Sequence, residues 1–227
     1  YVIISYYKHI IKLNFYMKKV KMSKDIKKLI EGKKIAKLDI GGGGNPTPGF
    51  VNMDYRDIPG KVDITHDLTL FPWPIEDETF DVATCSHVVE HLSPLPVDPR
   101  IAGLAQLLLD KKIVSQKDLD KYVGEIAPGP IFMRFMDEAW RVLKVGGELL
   151  LSGPYAGSPG FYQDPSHINA CNETTWEYFT PKGPLTGGVL WGIYKSKPWK
   201  IKLNTWHQIG FFEVVLEKIA FREDGKY

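Results

Sequence analysis

The run Leu38-Asp-Ile-Gly-Gly-Gly-Gly44 is an apolar strand pattern that ends in four consecutive glycines. Glycine is required where the backbone adopts positive φ or where a neighbouring group leaves no room for Cβ. In dinucleotide-binding loops, such glycines lead into a helix whose N-terminus faces a phosphate. Here only residues 45–49 separate the glycines from the next apolar run, and two of them are prolines. No helix fits there, so we predict a ligand that presents no phosphate to this loop.

Apolar runs with the period of strands follow along the chain. We predict strands at residues 35–40, 50–54, 62–65, 80–85 and 148–152, and a hairpin of two more at 199–206 and 211–219. Apolar residues at helical spacing over 132–143 predict a helix, and Thr174 to Glu177 resembles a capping box. This order predicts an α/β sheet that is mostly parallel with an antiparallel edge.

The composition is typical of one globular domain. The 227 residues are 25% charged and 44% hydrophobic, which excludes a disordered or disulfide-scaffold chain. We interpret residues 22–227 as a single domain with a helical insertion at about 94–129. Residues 1–21 are interpreted as an N-terminal extension that is disordered or non-native. A membrane-surface anchor at 1–21 is the alternative, and it would need an amphipathic helix.

Charge and cysteine content indicate partners and compartment. Formal net charge is +2, but residues 1–21 hold five lysines and no acid, so the remainder carries 24 bases against 27 acids. That balance predicts no DNA binding. No apolar run is long enough to span a bilayer, so no membrane association is predicted. Cys85 and Cys171 are the only cysteines, which suits a reducing, cytoplasmic location. The oligomeric state is left open.

Polar side chains stand at or beside the ends of the first four predicted strands. They are Asp39, Asp54, Asp67 and Ser86. Ligands of parallel sheets bind at that edge, so we expect these residues to share one site. A carboxylate such as Asp54 can accept hydrogen bonds from two vicinal ribose hydroxyls. The alternative for Asp54 is an ordinary turn residue at a strand end.

In combination, these stretches resemble class I S-adenosylmethionine-dependent methyltransferases, in particular the small type 11 group. The resemblance covers about residues 35–155, through the stretches 38–44, 49–54, 66–68, 80–92 and 135–151. It implies a Rossmann-like α/β fold with a mostly parallel seven-stranded sheet, an antiparallel last strand and helices on both faces. It also implies S-adenosyl-L-methionine as the cofactor.

The resemblance assigns cofactor contacts to residues that match the family motifs. Asp39 and the backbone of Gly41, Gly42 and Gly43 would border the methionine part, Asp54 would hold the ribose, Asp67 and Leu68 the adenine, and Ser86 and His87 would close the site. Two features depart from the family. Asn45 stands where many members have glycine, and the crossovers after the first two strands are too short for helices.

Methyl transfer needs a general base only when the acceptor must lose a proton. The candidate catalytic residues are His91, Asp164 and His167. For the loop at 162–167, the alternative is a structural turn in which Asp164 caps and His167 packs. Six nearby aromatic residues predict an acceptor pocket, or core packing for the last three: Tyr155, Phe161, Tyr162, Trp176, Tyr178 and Phe179.

His87-Val-Val-Glu-His91 also has the spacing of inverted zinc peptidases, whose paired histidines bind metal from one helix face. No third ligand can be singled out, so we predict no metal. Zinc hydrolysis remains an alternative. So does a metal that assists methyl transfer through His87, His91 and either Asp164 or His167.

The functional prediction is methyl transfer from S-adenosylmethionine to an oxygen or nitrogen of a small-molecule or saccharide acceptor. A non-catalytic nucleoside-binding module is the alternative from another class. The fourth strand leads into Cys85-Ser-His87 and not into the Asp/Asn-Pro-Pro-Tyr group of DNA amino-methylases, and no Pro-Cys pair marks a cytosine C5 enzyme. Methylation of DNA bases is therefore not expected.

Overall fold

The computed structural model of the chain describes residues 22–94, 107–115 and 130–221. The predicted extension at 1–21 lies outside the described residues. So does most of the predicted insertion at 94–129, apart from a short stretch that is helical at residues 107–110. Among the helices that are described, none has the length and apolar character needed to cross a bilayer.

Seven strands form one sheet, in the order β3-β2-β1-β4-β5-β7-β6. The strands are β1 (Lys37–Ile40), β2 (Val51–Asp54), β3 (Ile64–Thr65), β4 (Phe80–Ser86), β5 (Leu143–Pro154), β6 (Trp199–His207) and β7 (Phe211–Lys218). The helices are α1 (Lys24–Ile30), α2 (Ile131–Val142), α3 (Pro159–Tyr162) and α4 (Trp191–Tyr194), with 3-10 turns at Val89–His91 and Thr175–Phe179.

Strand directions confirm the predicted fold class. The pairs β1/β2, β1/β4, β2/β3 and β4/β5 are parallel, whereas β7 runs antiparallel to both of its neighbours, β5 and β6. The predicted hairpin of the last two strands is also confirmed. The antiparallel strand is not the edge of the sheet, however, because the chain first places β6 at the edge and then returns between β6 and β5.

The connections after β1 and β2 contain no helix. Residues 41–50 and 55–63 form turns and bends, as the two prolines in the first connection predict. Both strands are short and buried, with all four residues of β2 buried. The carboxyl ends of β1 and β2 therefore lead into compact loops, and the predicted site residues Asp39 and Asp54 lie at this edge of the sheet.

The position of Gly146-Gly147 after the apolar stripe predicts that these glycines end α2. This prediction is wrong. The helix ends at Val142, and β5 begins at once with Leu143 paired to Phe80. The register then shifts, so that residues 144–147 lie opposite Asp81 alone. The glycines belong to this β-bulge, where Gly146 has φ 80°.

The capping box predicted at Thr174 to Glu177 does not form. Thr174 makes no side-chain cap, and Asn172 Oδ1 instead accepts hydrogen bonds from the N–H groups of Thr174 and Thr175, at 3.0 and 3.2 Å. The Glu177 carboxylate is fully buried and accepts from Leu185 N, Thr186 N and Thr186 Oγ1. Glu177 thus binds the loop at residues 185–186, which supplies three hydrogen-bond donors, and does not cap its own 3-10 turn.

Helix α2 packs its predicted apolar stripe into the core. Its members Phe132, Phe135, Met136 and Ala139 are buried on α2, whereas its last member, Leu143, is buried as the first residue of β5. The same face also buries a charged pair that the pattern does not predict. Arg141 donates to both carboxylate oxygens of Glu138, at 2.8 and 2.7 Å, and to the carbonyls of Trp73 and Ile75. This pair attaches α2 to the segment that leads into β4.

Candidate functional site

The glycine loop is held tightly against the neighbouring strands. Gly41 has φ 78°, and its N–H donates to the carbonyl of Met53 at 2.7 Å. A Cβ on Gly41 would collide with the side chain of Val88, and one on Gly42 would lie 2.6 Å from both Asn52 Oδ1 and Asp39 Oδ2. The first two glycines are therefore required by a positive φ and by close approach, respectively.

Asp54 lies at the end of β2 beside the glycine loop, as predicted. Its Oδ2 accepts a hydrogen bond from Gly43 N at 3.0 Å, and its Oδ1 accepts from Arg56 N and Arg56 Nε, both at 3.0 Å. Arg56 Nη2 lies 3.4 Å from Oδ2. Both oxygens of the buried carboxylate therefore already accept hydrogen bonds from the chain itself. Most of these bonds come from Arg56, whose side chain is half exposed.

Burial opposes ionisation of Asp54, but hydrogen bonds from the side chain and backbone of Arg56 outweigh it. Together with the positive charge of Arg56 and the N–H of Gly43, they hold the pKa of Asp54 below its ordinary value. Asp54 is thus an anionic acceptor at neutral pH. The pairing of Arg56 with Asp54 was not predicted from the sequence, because a basic residue two positions after an acid is not a recognisable sequence motif.

Asp39 and Asn52, in β1 and β2, hold the glycine loop in place through hydrogen bonds. Asp39 Oδ2 accepts from Thr47 N at 2.6 Å, which draws the far end of the loop back over β1. Asn52 Nδ2 donates to the carbonyls of Gly43 and Lys61, at 2.9 and 2.7 Å, while its buried Oδ1 has no hydrogen-bond partner within the described part of the chain. Asn52 was also missed from the sequence. Its place inside a buried strand was the available signal, because a buried amide needs partners.

Asp67 and Leu68 follow β3 but differ in exposure. Asp67 is exposed, and its Oδ1 accepts from Thr69 N and Thr69 Oγ1, both at 2.8 Å. Leu68 is buried in the core, and its carbonyl accepts from Trp73 Nε1 at 3.2 Å. The structure therefore gives Asp67 a turn-forming role and Leu68 a core role, and their contact with adenine stays a prediction.

Ser86 and His87 lie at the end of β4 beside β5. Ser86 pairs in register with Ser152, whose Oγ donates to Ser86 Oγ at 2.8 Å, and His87 N donates to the carbonyl of Ser152 at 2.9 Å. His87 has φ 56°, an uncommon conformation for a residue other than glycine. The next residue, Val88, contacts the glycine loop at Gly41, so the chain after β4 borders the same loop.

The three candidate catalytic residues lie together in the structure. The rings of His91 and His167 are 4.8 Å apart between centroids, and Asp164 Oδ2 lies 3.8 Å from His167 Nε2. Asp164 Oδ1 accepts from Ser166 Oγ and Ser166 N, at 2.6 and 2.8 Å, and these bonds hold the pKa of Asp164 below its ordinary value. The turn-forming role considered for Asp164 is thus observed beside the two histidines.

The aromatic residues do not form one pocket. Trp176 and Phe179 are core residues that pack edge-on against Phe132, as the alternative interpretation predicts. Phe161 is buried, with its ring 5.6 Å from that of His167. Tyr162 is exposed, and the hydroxyl of Tyr155 donates to Glu173 at 2.6 Å. Only part of the set lies near the histidines.

The zinc-peptidase arrangement of His87 and His91 is wrong for this chain. That motif needs both histidines on one face of an α-helix. Here Val89–His91 forms a single 3-10 turn, and His87 precedes it with positive φ. His87 Nδ1 lies 3.3 Å from Glu90 Oε1, whereas His91 Nδ1 faces Ser166, with Ser166 Oγ 3.1 Å away. The two rings therefore have different partners.

Both cysteines are buried free thiols. Burial and the nearby charge of Glu90 raise the pKa of Cys171 to about 12 and also raise that of Cys85, to which Asp39 contributes. Neither thiol is a nucleophile at neutral pH, because the thiolate is the reactive form.

No protein-family model matches the chain, and no curated protein matches it. Solved structures similar to it include a protein of Pyrococcus horikoshii OT3, with 13% identity, 85% of this chain and 90% of that chain covered, and a TM-score of 0.48. Another is a SAM-dependent methyltransferase from Archaeoglobus fulgidus, with 14% identity, 82% and 87% covered, and a TM-score of 0.47.

A third is 1,6-didemethyltoxoflavin-N1-methyltransferase of Burkholderia thailandensis with bound 1,6-didemethyltoxoflavin and S-adenosylhomocysteine. It shares 10% identity with this chain, with 83% of this chain and 73% of that chain covered and a TM-score of 0.45. The fold assignment of the present chain rests on its own strand order.

Proposed function

We propose that this chain is an S-adenosylmethionine-dependent methyltransferase that acts on an oxygen or nitrogen of a small-molecule or saccharide acceptor. The observation that carries the proposal is the contact between the glycine loop and a buried acid at the ends of β1 and β2, where Gly43 N donates to Asp54 Oδ2 at 3.0 Å. No helix follows this loop. It therefore offers no helix N-terminus to a phosphate and favours a nucleoside ligand.

The residues at this edge fit the ribose of such a cofactor. Vicinal hydroxyls would replace the hydrogen bonds that the Arg56 side chain now makes to Asp54, and a carboxylate acceptor makes such bonds strong. Arg56 can yield its place because its side chain is half exposed. The bond from Gly43 N to Asp54 can remain and keep the carboxylate in position.

The other cofactor contacts are proposed from their position around the loop. Asp39 and the backbone of Gly41, Gly42 and Gly43 would border the methionine part, and Ser86 and His87 would close the site. Support comes from Val88, which follows His87 and contacts Gly41. Asp67 and Leu68 are proposed to flank the adenine.

S-adenosylmethionine, when bound, supplies a methyl group already activated by its sulfonium. The chain's main task is then to align the acceptor, since proximity alone can remove much of the barrier. The cluster of His91, Asp164 and His167 begins three residues after the Val88 contact and is proposed to face the acceptor.

We also propose a cytoplasmic location without a DNA or membrane partner. The free thiols and the excess of acids over bases in residues 22–227 support this proposal.

Calorimetry tests the proposed cofactor. We expect S-adenosylmethionine and S-adenosylhomocysteine to bind and NAD to give no heat. Asp54→Ala should weaken binding by about 10- to 100-fold, as for loss of a charged hydrogen-bond acceptor. Asp57→Ala, at an exposed acid three residues further on, is the matched control and should bind as the wild type does. Binding of NAD with no response to S-adenosylmethionine would contradict the proposal, and unchanged affinity in Asp54→Ala would remove Asp54 from the site.

A further inference from the structure

A buried carboxylate without a hydrogen-bond partner lies beside the two histidines. Glu90 is 1% exposed, and neither of its carboxylate oxygens has a hydrogen-bond partner among the described residues. The exposed ring of His87 lies beside it, with Nδ1 3.3 Å from Oε1. An isolated buried carboxylate is costly unless a cation compensates it. The fold therefore buries a carboxylate in a place where a bound cation would stabilise it.

The hydrogen bonds of His167 leave one ring nitrogen free to bind. His167 Nδ1 lies 2.9 Å from the carbonyl of Phe161. A carbonyl can only accept, so Nδ1 carries the proton and, in the neutral ring, Nε2 carries the lone pair. Metal-binding histidines usually have this arrangement, in which a carbonyl orients the ring through the nitrogen that does not bind the metal.

His91 is oriented in the same way by Ser166. Ser166 Oγ donates its proton to Asp164 Oδ1 at 2.6 Å, so it must accept from His91 Nδ1, which lies 3.1 Å away. The carbonyl of Ser166 is a second acceptor, 3.3 Å from the same nitrogen. In the neutral ring, Nε2 of His91 is then free as well.

The fold fastens these side chains together although they lie far apart in the sequence. Ile168 N and Asn169 N both donate to the carbonyl of Glu90 at 2.9 Å, and Asn169 Nδ2 donates to the carbonyl of Val89 at 2.9 Å. These three bonds attach the segment after His167 to the 3-10 turn that carries His91. Potential ligand atoms of Glu90, His91 and His167 lie within 4.8 Å of one another.

We propose that Glu90, His91 and His167 bind a divalent first-row transition-metal ion. Two imidazole nitrogens and one carboxylate are the donors that Zn²⁺, Fe²⁺ and Co²⁺ accept, whereas Mg²⁺ and Ca²⁺ require oxygen ligands. Three protein ligands leave at least one coordination position open, and the ligand His91 is exposed. The sequence predicts no metal because no third ligand can be singled out, and its metal-assisted alternative pairs His91 with His87 and not with Glu90.

The metal site would also define the acceptor, and this part rests on the proposed function. An open position beside the methyl donor site suits an acceptor with an oxygen that binds a metal, such as a hydroxyl or a carboxylate. His91 and His167 would then act as ligands and not as general bases.

Metal titration of the full chain, without a histidine tag and after treatment with a chelator, tests the site. We expect one Co²⁺ per chain, with ligand-field absorption bands in the visible range that Zn²⁺ abolishes and Mg²⁺ does not. His167→Ala should weaken Co²⁺ binding by at least about 100-fold. His207→Ala is the matched control, because that ring pairs with Glu213 on the β6/β7 hairpin, and it should bind Co²⁺ as the wild type does.

Glu90→Gln separates metal binding from a structural role. It replaces the buried, unpartnered carboxylate by an amide of nearly the same volume, so the metal-free variant should unfold at the same or a higher temperature than the wild type. It should lose the rise in unfolding temperature that Zn²⁺ gives the wild type. Equal Co²⁺ affinity in wild type, Glu90→Gln and His167→Ala would overturn the proposal, as would no Co²⁺ binding by the wild type. Both measurements omit S-adenosylmethionine, so a chain that binds Co²⁺ but not that cofactor would refute only the proposed function.

Discussion

Two buried carboxylates near the ends of the strands differ in their hydrogen-bond partners. The Asp54 carboxylate pairs with the Arg56 guanidinium and accepts a hydrogen bond from the N–H of Gly43. Glu90 is as deeply buried, but its oxygens have no hydrogen-bond donor among the described residues. A filled acceptor has to exchange partners before a ligand can bind, whereas an unfilled one gains energy directly. At the scale of the residue, a ligand of Asp54 therefore has to compete with Arg56, whereas a ligand of Glu90 would supply a partner that its carboxylate lacks among the described residues.

Arg56→Ala tests the competition at Asp54. Removing the guanidinium frees Oδ1 and Oδ2 for the ribose hydroxyls, so S-adenosylmethionine should bind about two- to fivefold more tightly, the value of a partly exposed ion pair. The measurement is calorimetric titration of the variant against the wild type. Lys61→Ala is a control at a nearby exposed base whose backbone carbonyl and N–H bond to Asn52 Nδ2 and to the carbonyl of Ile58, bonds that the substitution keeps, and it should leave affinity unchanged. Weaker binding by Arg56→Ala would mean that Arg56 contacts the cofactor.

Helix α2 illustrates how one element depends on a single side chain. Arg141 is 4% exposed and donates to Glu138, Asp77 and two backbone carbonyls, while Trp73 N donates to Glu138 at 2.8 Å. Burial opposes the charge on Arg141, but its bonds to Glu138 and Asp77 outweigh this and raise the pKa of the guanidinium. The helix is thus fixed to the loop before β4 by a satisfied polar network within an apolar face.

Arg141→Ala should destabilise the protein by about 3–5 kcal/mol, because Glu138 would remain buried without its cation. The measurement is the free energy of unfolding from denaturant titration. Lys144→Ala is the matched control three residues later, where a half-exposed lysine pairs with Asp81, and it should cost less than about 1 kcal/mol. Similar losses in both variants would show that the Arg141 network contributes no more than a surface ion pair.

At the scale of the whole molecule, Asp137 connects α2 to the chain that enters β6. Its Oδ1 accepts from Lys197 N at 3.2 Å. Burial raises the pKa of Asp137 to about 6, against the hydrogen bond and charge of Lys197 and the charge of Arg134, and the charge of Glu138 adds to the rise. The folded chain therefore holds this proton at a pH where the unfolded chain has lost it.

The sign of the resulting pH dependence follows from linkage. Between the ordinary value of 3.8 and about 6, the folded state binds more protons than the unfolded state, so this contribution to stability falls as pH rises. Asp137→Asn removes the titration, and its stability relative to wild type should increase by on the order of 2 kcal/mol from pH 4 to pH 7. Denaturant unfolding across this range checks the difference. The exposed Asp25→Asn is the control, and a constant difference for Asp137→Asn would refute the shift.

Local patterns predicted much of the sheet and of its ligand edge. Strand positions, the helix-free connection after β1, the hairpin and the α2 stripe follow from apolar periodicity, prolines and glycines within a few residues. The contact between Gly43 and Asp54 could also be predicted, because parallel strands end at one edge of the sheet. The glycine pair in the β5 bulge and the buried role of Glu177 were not, since each depends on a partner strand or loop that local periodicity does not identify.

The sequence by itself determined the fold class and the acids and glycines at one edge of the sheet, because short-range periodicity and backbone sterics decide those features. Only the tertiary structure decided which side chains compensate which charges. It set Arg56 on Asp54 and left the carboxylate of Glu90 without a hydrogen-bond partner among the described residues. It also brought His167 to His91, since three hydrogen bonds join segments 75 or more residues apart and no local pattern records their pairing.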